Sequence, residues 1–178
     1  DTLLPNDLAS RILDFINKDI PILPLQRFWS NLRKNPNIFA RAQLFGFLEN
    51  NGIPITEDGC FIAYKRVNEN FTDIFTGKIS NKPNEIVKMP RDKVNTDSSV
   101  ACSTGLHVAA FTYAKEHYGD SHSNQKIIEV KVNPMDVVAV PTQDSYKKFR
   151  TCRYFPVSTN VDEIDEDGDF DNSKKYQL

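Results

Sequence analysis

The stretch EDGCFIAYKRV, residues 57–67, marks the point at which the character of this sequence changes, and it decides the fold class. Glu57-Asp58-Gly59 has the composition of a tight turn. The run that follows, Cys60–Val67, is rich in β-forming residues, and its later part alternates between apolar and polar side chains. We therefore predict a strand over Cys60–Val67, and we expect this strand to open a β-rich half of the chain.

Residues 1–52 have a different pattern, because their apolar side chains recur at helical spacing. Pro21, Pro24 and Pro36 fall where helices would begin or end, and Asn50-Asn51-Gly52 is a strong helix stop. We expect about three helices. Their apolar positions form three groups: Leu8, Ile12, Phe15 and Ile16; Leu25, Phe28, Trp29 and Leu32; and Phe39, Leu44, Phe45 and Leu48.

Shorter β-rich runs and one helical run follow the first strand. The consequence is an α+β fold, in which an N-terminal helical segment precedes a mostly antiparallel sheet with one inserted helix. The expected strands are Thr72–Ile79, Ile86–Met89, Val100–Cys102, Lys126–Val132, Val137–Val140 and Thr151–Val157, and the expected helix is Ala110–Tyr118.

Composition favours one soluble domain over residues 1–158, with a helical part (1–52) and a β-rich part (53–158). No run approaches the roughly 20 apolar residues that span a bilayer, so we expect an intracellular protein without a transmembrane segment. The cysteines Cys60, Cys102 and Cys152 are widely separated, which predicts neither a disulfide framework nor a metal site.

Residues 159–178 hold seven of the 24 acidic residues, and we predict that this acidic tail is disordered. Residues 1–160 then carry 20 basic and 17 acidic residues, a balance of about +3. The basic residues are scattered along the sequence, so we predict no specific nucleic-acid partner.

Residues 102–109, Cys-Ser-Thr-Gly-Leu-His-Val-Ala, combine reactive side chains with a glycine ahead of the predicted helix, and this arrangement suits the wall of a pocket. Cys102 and His107 are a possible nucleophile and base, but no third, orienting carboxylate is identifiable, so we assign no catalytic residue.

Five basic residues could converge with His107 on an anion or an acidic partner surface if the strands pair as predicted. They are Lys65, Arg66, Arg91, Arg150 and Arg153. The alternative is that they are solvated or form salt bridges with Asp73, Asp92 or Asp136, and this alternative is the favoured one. The candidate binding residues are Tyr64, Lys65, Arg66, Arg91, Cys102, Gly105, His107, Arg150, Arg153 and Tyr154.

Several blocks of the sequence, in order, resemble the C-terminal region of the rIIB proteins of T-even bacteriophages, a family that acts in rapid lysis and lysis inhibition. The helical first part is similar in a looser way. The blocks are Ile55–Gly59, Ala63–Lys65, Val87–Arg91, Cys102–Val108, Val130–Val138 and Arg150–Tyr154.

This resemblance implies a phage protein that acts with a protein partner, rIIA, to delay host lysis and to counter exclusion by a resident prophage. It implies no enzymatic activity and no cofactor, and we lean towards a non-enzymatic role. The expected location is the host cytoplasm, with any membrane association arising through the partner.

A second resemblance is to ADP-ribosyltransferases of the poly-ADP-ribose-polymerase type, carried by Gly105–Ala109 and Ile127–Val130. It implies that His107 stands where an aromatic residue stacks on nicotinamide. The first strand carries Lys65 and no histidine, and no glutamate stands near Cys152–Tyr154, where the catalytic one is expected. Without that carboxylate, transfer chemistry would be severely impaired. The alternative function is therefore a degenerate fold of this type that binds NAD or ADP-ribose.

Overall fold

The computed structural model of the protein is an α+β fold in which helices precede an antiparallel sheet, as the sequence predicts. The structure describes residues 12–13, 16–17, 21–116, 124–142 and 147–157, together with the backbone of 175–177. Within these residues, every strand pairing is antiparallel.

Two helices lie ahead of the sheet, α1 (Leu23–Arg33) and α2 (Ile38–Asn50). Pro24 lies in the first turn of α1, where a missing N–H is tolerated. The Asn37 side chain caps α2 by accepting a hydrogen bond from the backbone N–H of Phe39 at 3.0 Å. Both helices confirm the prediction. The earliest predicted helix lies mostly outside the described residues, among which residues 12–13 and 16–17 are helical.

The sheet has nine strands among the described residues: β1 (Pro54–Thr56), β2 (Phe61–Asn68), β3 (Val87–Lys88), β4 (Leu106–Ala109), β5 (Gln125–Val132), β6 (Val137–Ala139), β7 (Lys148–Thr151), β8 (Arg153–Pro156) and β9 (Lys175–Gln177). Its path runs β3-β8-β5-β2-β4-β7-β6, with β1 beside β2 and β9 beside β1. Helix α3 (Phe111–Glu116) is the inserted helix.

The turn before β2 is held against α1 by a close backbone approach. Gly59 has a φ of +75°, and a Cβ there would lie 2.4 Å from the backbone nitrogen of Phe28. Only glycine fits this position, because any side chain would collide with the helix. The turn and strand predicted from residues 57–67 are thereby confirmed, and their packing fixes α1 on the sheet.

The core lies between the helices and the sheet and is built around four buried phenylalanine rings, from both helical and strand segments. The Phe149 ring lies 4.9 Å from Phe47 and 5.5 Å from Phe61, and Phe28 lies 6.5 Å from Phe61. Edge-on and tilted rings at these distances add attraction to the burial of apolar area. The aromatic cluster joins α1, α2, β2 and β7 into one core.

Two of the predicted strands are wrong. Thr72–Ile79 is a loop, because the Asp73 side chain takes up backbone N–H groups that a strand would use for pairing. Val100–Cys102 is also irregular, and the Val100 carbonyl accepts a hydrogen bond from the Arg150 guanidinium at 2.7 Å.

Three further predictions need adjustment. Thr151–Val157 is not one strand, since Lys148–Thr151 pairs with β4 and β6 whereas Arg153–Pro156 pairs with β5 and β3. Residues 175–177 of the predicted disordered tail form β9 instead, and the rest of that tail lies outside the described residues. The predicted helix Ala110–Tyr118 is observed as α3, which begins one residue later, at Phe111, and residues 117–118 of the prediction lie outside the described residues.

Candidate functional site

The sheet opens between β2 and β4, and this opening forms the candidate site. Strand β2 pairs with β5 along its whole length, from Phe61 to Asn68. On its other edge it meets β4 at a single pair, Tyr64 and Ala109. Beyond that pair β4 runs beside β7 only, and the edge of β2 is next used by an isolated bridge between Val67 and Asp73. The two strands therefore separate in the middle of the sheet.

A cavity of about 520 Å³ occupies this opening. Its walls come from β2, β4, β7, β8 and α3, from the segment before β4 (residues 95–105) and from the loop that contains Asp73. The volume lies within the range of about 300–1,000 Å³ that is typical of small-molecule sites. Seven of the ten candidate residues line it: Tyr64, Lys65, Arg66, Cys102, Gly105, His107 and Tyr154.

Lys65 reaches across the opening. Its Nζ donates a hydrogen bond to the backbone carbonyl of His107 at 2.8 Å and lies 5.9 Å from the centre of the Tyr154 ring. Burial lowers the pKa of Lys65 to about 8, and the Asp73 carboxylate offsets part of that effect. The ammonium therefore remains mostly protonated at neutral pH.

His107 is a neutral imidazole at neutral pH. Burial and the nearby cations Lys65, Arg150 and Lys148 lower its pKa to about 4. Its Nε2 atom is buried and has no hydrogen-bond partner among the described residues. An unsatisfied buried polar atom costs about 1–3 kcal/mol, so it is an unusual feature that calls for an explanation.

A second cation, Lys148, lies on another part of the wall. Its Nζ donates to the Tyr113 hydroxyl at 2.8 Å and lies 3.6 Å from the Sγ of Cys102. Lys148 is buried, whereas Cys102 is exposed. The thiol therefore has an ammonium beside it, and the structure records no hydrogen bond between Cys102 and His107 among the described residues.

Asp73 builds the wall formed by the loop after β2. It accepts hydrogen bonds from the Thr76 hydroxyl at 2.6 Å and from the backbone N–H groups of Thr76, Lys78 and Ile79 at 2.7, 3.0 and 2.8 Å. Burial alone would raise the pKa of Asp73, but these hydrogen bonds outweigh it and lower the pKa to about 2. The Asp73 carboxylate is thus held by hydrogen bonds within its own loop.

Comparison with known proteins identifies the family to which this chain belongs. The family model described as Bacteriophage T4 protein rIIB matches residues 5–165. The chain belongs to the rIIB family. Protein rIIB of Enterobacteria phage T4 is 42% identical to it over 151 residues, which is 85% of this chain and 47% of that relative. The chain therefore spans about half the length of the curated relative that it matches.

No solved structure matches this rIIB-family chain. The likeness to ADP-ribosyltransferases accordingly stays a prediction. Among the described residues, no helix is both long enough and apolar enough to cross a membrane. The same part of the chain contains no group of three or more His, Cys, Asp or Glu side chains placed to hold a metal ion.

The structure does not bring the five basic candidates of the rIIB-family chain together. Arg91 donates to the Asn35 side chain at 2.8 Å and to the Val137 carbonyl at 2.9 Å, away from the cavity. Arg153 forms an ion pair with Asp136 at 2.9 Å, which is the alternative considered for it. Neither residue lines the cavity.

Arg150 and Arg66 support the backbone around the cavity. Arg150 is fully buried and donates to the Asn95 and Val100 carbonyls at 2.9 and 2.7 Å, which anchors the segment before β4. Arg66 lines the cavity, but its guanidinium donates to the Ala114 and Lys115 carbonyls at 2.9 and 3.0 Å, at the end of α3. Both residues position elements of the site through their hydrogen bonds.

Gly105 allows β4 to begin close to Arg150. Its φ is +152°, and a Cβ there would lie 2.9 Å from the Cγ1 of Val94 and 3.2 Å from the Cδ of Arg150. A side chain at this position would be strained by the backbone angle and crowded by both neighbours.

Sequence reasoning missed Asp73, Tyr113 and Lys148 as parts of the site. Lys148 stands two residues before Arg150, so the period of two along a strand could have suggested that they share a face. For Asp73 the signal is the spacing Asp73-x-x-Thr76-Gly77, which is typical of a side-chain-stabilised turn. Tyr113 carried no signal beyond its place in the predicted helix.

Proposed function

We propose that this chain is the regulatory interaction module of an rIIB-type phage protein, and that it acts through a protein partner of the rIIA type. Through that partner it delays host lysis and resists exclusion by a resident prophage. The observation that carries the proposal is the family match over residues 5–165. The module works in the host cytoplasm without catalysing a reaction, and any association with the membrane is supplied by the partner.

Exposed apolar side chains at the start of α2 support a docking role. Ile38 and Phe39 are adjacent, and they are 60% and 71% exposed. Isolated apolar side chains are common on protein surfaces, but large neighbouring ones are enriched where partners bind. Asn37 caps this helix end through its own side chain, so changes at Ile38 and Phe39 leave the cap intact.

The test is co-purification of a tagged rIIA-type protein with the rIIB-type protein from co-expressing bacteria, combined with measurement of lysis time. We expect the unmodified protein to retain the partner and the double variant Ile38→Ser/Phe39→Ser to lose it. Phe75→Ser is the matched control, because Phe75 is also exposed but lies at the cavity. Failure of the unmodified protein to retain the partner would contradict the proposal, and equal retention by all variants would exclude this surface.

The alternative function, binding of NAD or ADP-ribose, is favoured by one observation. The cavity is lined by both residues that the resemblance to ADP-ribosyltransferases compares with ligand-contacting positions, Lys65 and His107. Near β8 the carboxylate of Asp136 is paired with Arg153 outside the cavity, and the described carboxylate that lines the cavity, Asp73, accepts hydrogen bonds from its own loop. We therefore keep binding, and not catalysis, as the second candidate.

A further inference from the structure

The opening between β2 and β4 exposes a cation that lacks a carboxylate partner. An ammonium has three N–H donors, and Lys65 uses one of them on the His107 carbonyl. Among the described residues, no Asp or Glu forms an ion pair with Lys65. A partly buried charge is normally paired, because removing it from water is unfavourable. The Lys65 ammonium is therefore available to pair with an anionic group of a ligand.

The charge of the cavity wall points in the same direction. The described lining residues include three cations, Lys65, Arg66 and Lys148, and one carboxylate, Asp73. Asp73 already accepts hydrogen bonds from three residues of its own loop. Arg66 donates to two carbonyls of α3, and Lys148 donates to the Tyr113 hydroxyl and to the Cys102 thiol. Lys65 has one described hydrogen bond, to the His107 carbonyl, so it is the cation that we expect a ligand to meet.

Apolar and aromatic side chains form most of the remaining wall. Phe75, Tyr113 and Tyr154 line it together with Leu106 and Val108. A free inorganic anion would leave these side chains facing an empty volume, whereas an organic body would cover them. The buried, unpartnered Nε2 of His107 at the same wall adds a polar atom that a ligand group could satisfy after a small shift of the ring.

We infer that this cavity is a binding site for a small organic anion, whose charged group pairs with Lys65 and whose apolar or aromatic body contacts the aromatic wall. The inference is independent of partner binding at α2, because Ile38 and Phe39 do not line the cavity. Its ligand would be a carboxylate or a phosphate ester that fits within about 520 Å³.

The test uses two fluorescent probes of nearly the same shape, 8-anilinonaphthalene-1-sulfonate, which is an anion, and N-phenyl-1-naphthylamine, which is uncharged. Each is titrated into the purified chain and into Lys65→Met, Lys65→Arg and Lys88→Met. Lys88 is exposed on β3 and does not line the cavity, so it is the matched control. Circular dichroism and thermal melting confirm that each variant is folded.

We expect one site for the anionic probe, weakened about tenfold or more in Lys65→Met, because a charged hydrogen bond contributes roughly 1.5–3 kcal/mol. Lys65→Arg restores the charge and most of the affinity, and Lys88→Met has no effect. The uncharged probe binds the unmodified chain and Lys65→Met equally. If Lys65→Met weakens the binding of both probes equally, or if Lys88→Met weakens the anionic probe as much as Lys65→Met does, the inference is overturned.

A second measurement locates the probe without any substitution. Cys102 is exposed at the cavity, whereas Cys60 and Cys152 are buried, so iodoacetamide should modify Cys102 first. Saturating anionic probe should slow that modification, as followed by mass spectrometry of the three cysteine peptides. An unchanged rate at Cys102 places the probe elsewhere and contradicts the inference.

Competition against the bound anionic probe then distinguishes the two chemical sources. Displacement by AMP but not by adenosine or inorganic phosphate assigns a phosphate ester with an aromatic body. Displacement by indole-3-acetate assigns a carboxylate, and NAD and ADP-ribose test the larger nucleotides directly. If none of these anions competes, the cavity does not accept small organic anions and the inference fails.

Discussion

Strand β2 takes part in two regions of opposite character. Its first half supplies Phe61 and Ala63 to the core beneath the helices, where both are fully buried among apolar neighbours. Its second half supplies Lys65 to the opening beside β4, where a cavity is lined by charged and aromatic residues. The same strand therefore contributes to a closed core and to a candidate binding site.

The difference between the two regions follows from strand pairing. Helices cover the core, and the phenylalanine rings of four segments fill it. At the opening, β4 leaves β2 after one residue pair, and a side chain, Lys65, reaches the backbone carbonyl of His107 in place of a strand partner. We expect the first region to dominate stability and the second to dominate binding, and three predictions test this division.

The largest expected effect is in the core. Phe61→Ala should lower the free energy of unfolding by about 3–5 kcal/mol, because it removes a fully buried ring that contacts three others. Urea denaturation measures the change. Phe39→Ala, at a site that is 71% exposed, is the control and should change stability by less than about 0.5 kcal/mol. If the two variants are equally stable, the core assignment is wrong.

A smaller effect is expected from the pH dependence of His107. Because burial and the cations Lys65, Arg150 and Lys148 lower its pKa from 6.5 to about 4 in the folded state, the unfolded chain binds more protons between these values. The stability contributed by neutral His107 is present above pH 6.5 and is lost as pH falls towards 4. Between pH 7 and pH 4 the loss should approach about 3 kcal/mol.

The comparison for His107 is urea denaturation of the unmodified chain and of His107→Asn at several pH values. The variant lacks the titrating group, so its stability should fall less over the same interval. Asp73 also titrates, but its pKa is lowered to about 2, so its contribution is lost mainly below this window. Parallel pH profiles for the two proteins would show that His107 is not the responsible group.

The smallest of the three effects should come from Asp73→Ala. The variant removes the acceptor of four hydrogen bonds within one loop, and we expect stability to fall by about 2 kcal/mol, within the range for hydrogen bonds to charged groups. The wall of the cavity should loosen, with faster amide exchange at Thr76, Lys78 and Ile79. Asp92→Ala, at an exposed site, should show neither change.

The main outline of the fold could be predicted, because it depends on local patterns. The strand after Gly59 and the helices around Phe28 and Phe47 were predicted from the spacing of apolar residues and from the positions of proline and glycine. The false strand at Thr72–Ile79 shows the limit. Its β-forming residues were real, but the hydrogen bonds of one carboxylate, Asp73, competed successfully with strand pairing.

Part of the candidate site could also be predicted, since seven of the ten candidate residues line one cavity. The remaining three, Arg91, Arg150 and Arg153, were chosen for the chemistry of their side chains, and the structure uses that chemistry on backbone carbonyls, an amide and a carboxylate. Residue type indicates what a side chain can bind, but its neighbours determine what it does bind.

The sequence by itself determined the fold class, the first helices, the long strands and the family, because these depend on periodicity and on ordered blocks of residues. Only the tertiary structure decided that β2 and β4 separate after Tyr64 and Ala109 and that a cavity lies between them. Strand separation is a relation between segments 45 residues apart in sequence, as the numbers of that pair show, and no local pattern records it. The same reason explains why the lowered pKa values of Lys65 and His107 required the structure, since burial and neighbouring charge arise only when distant segments meet.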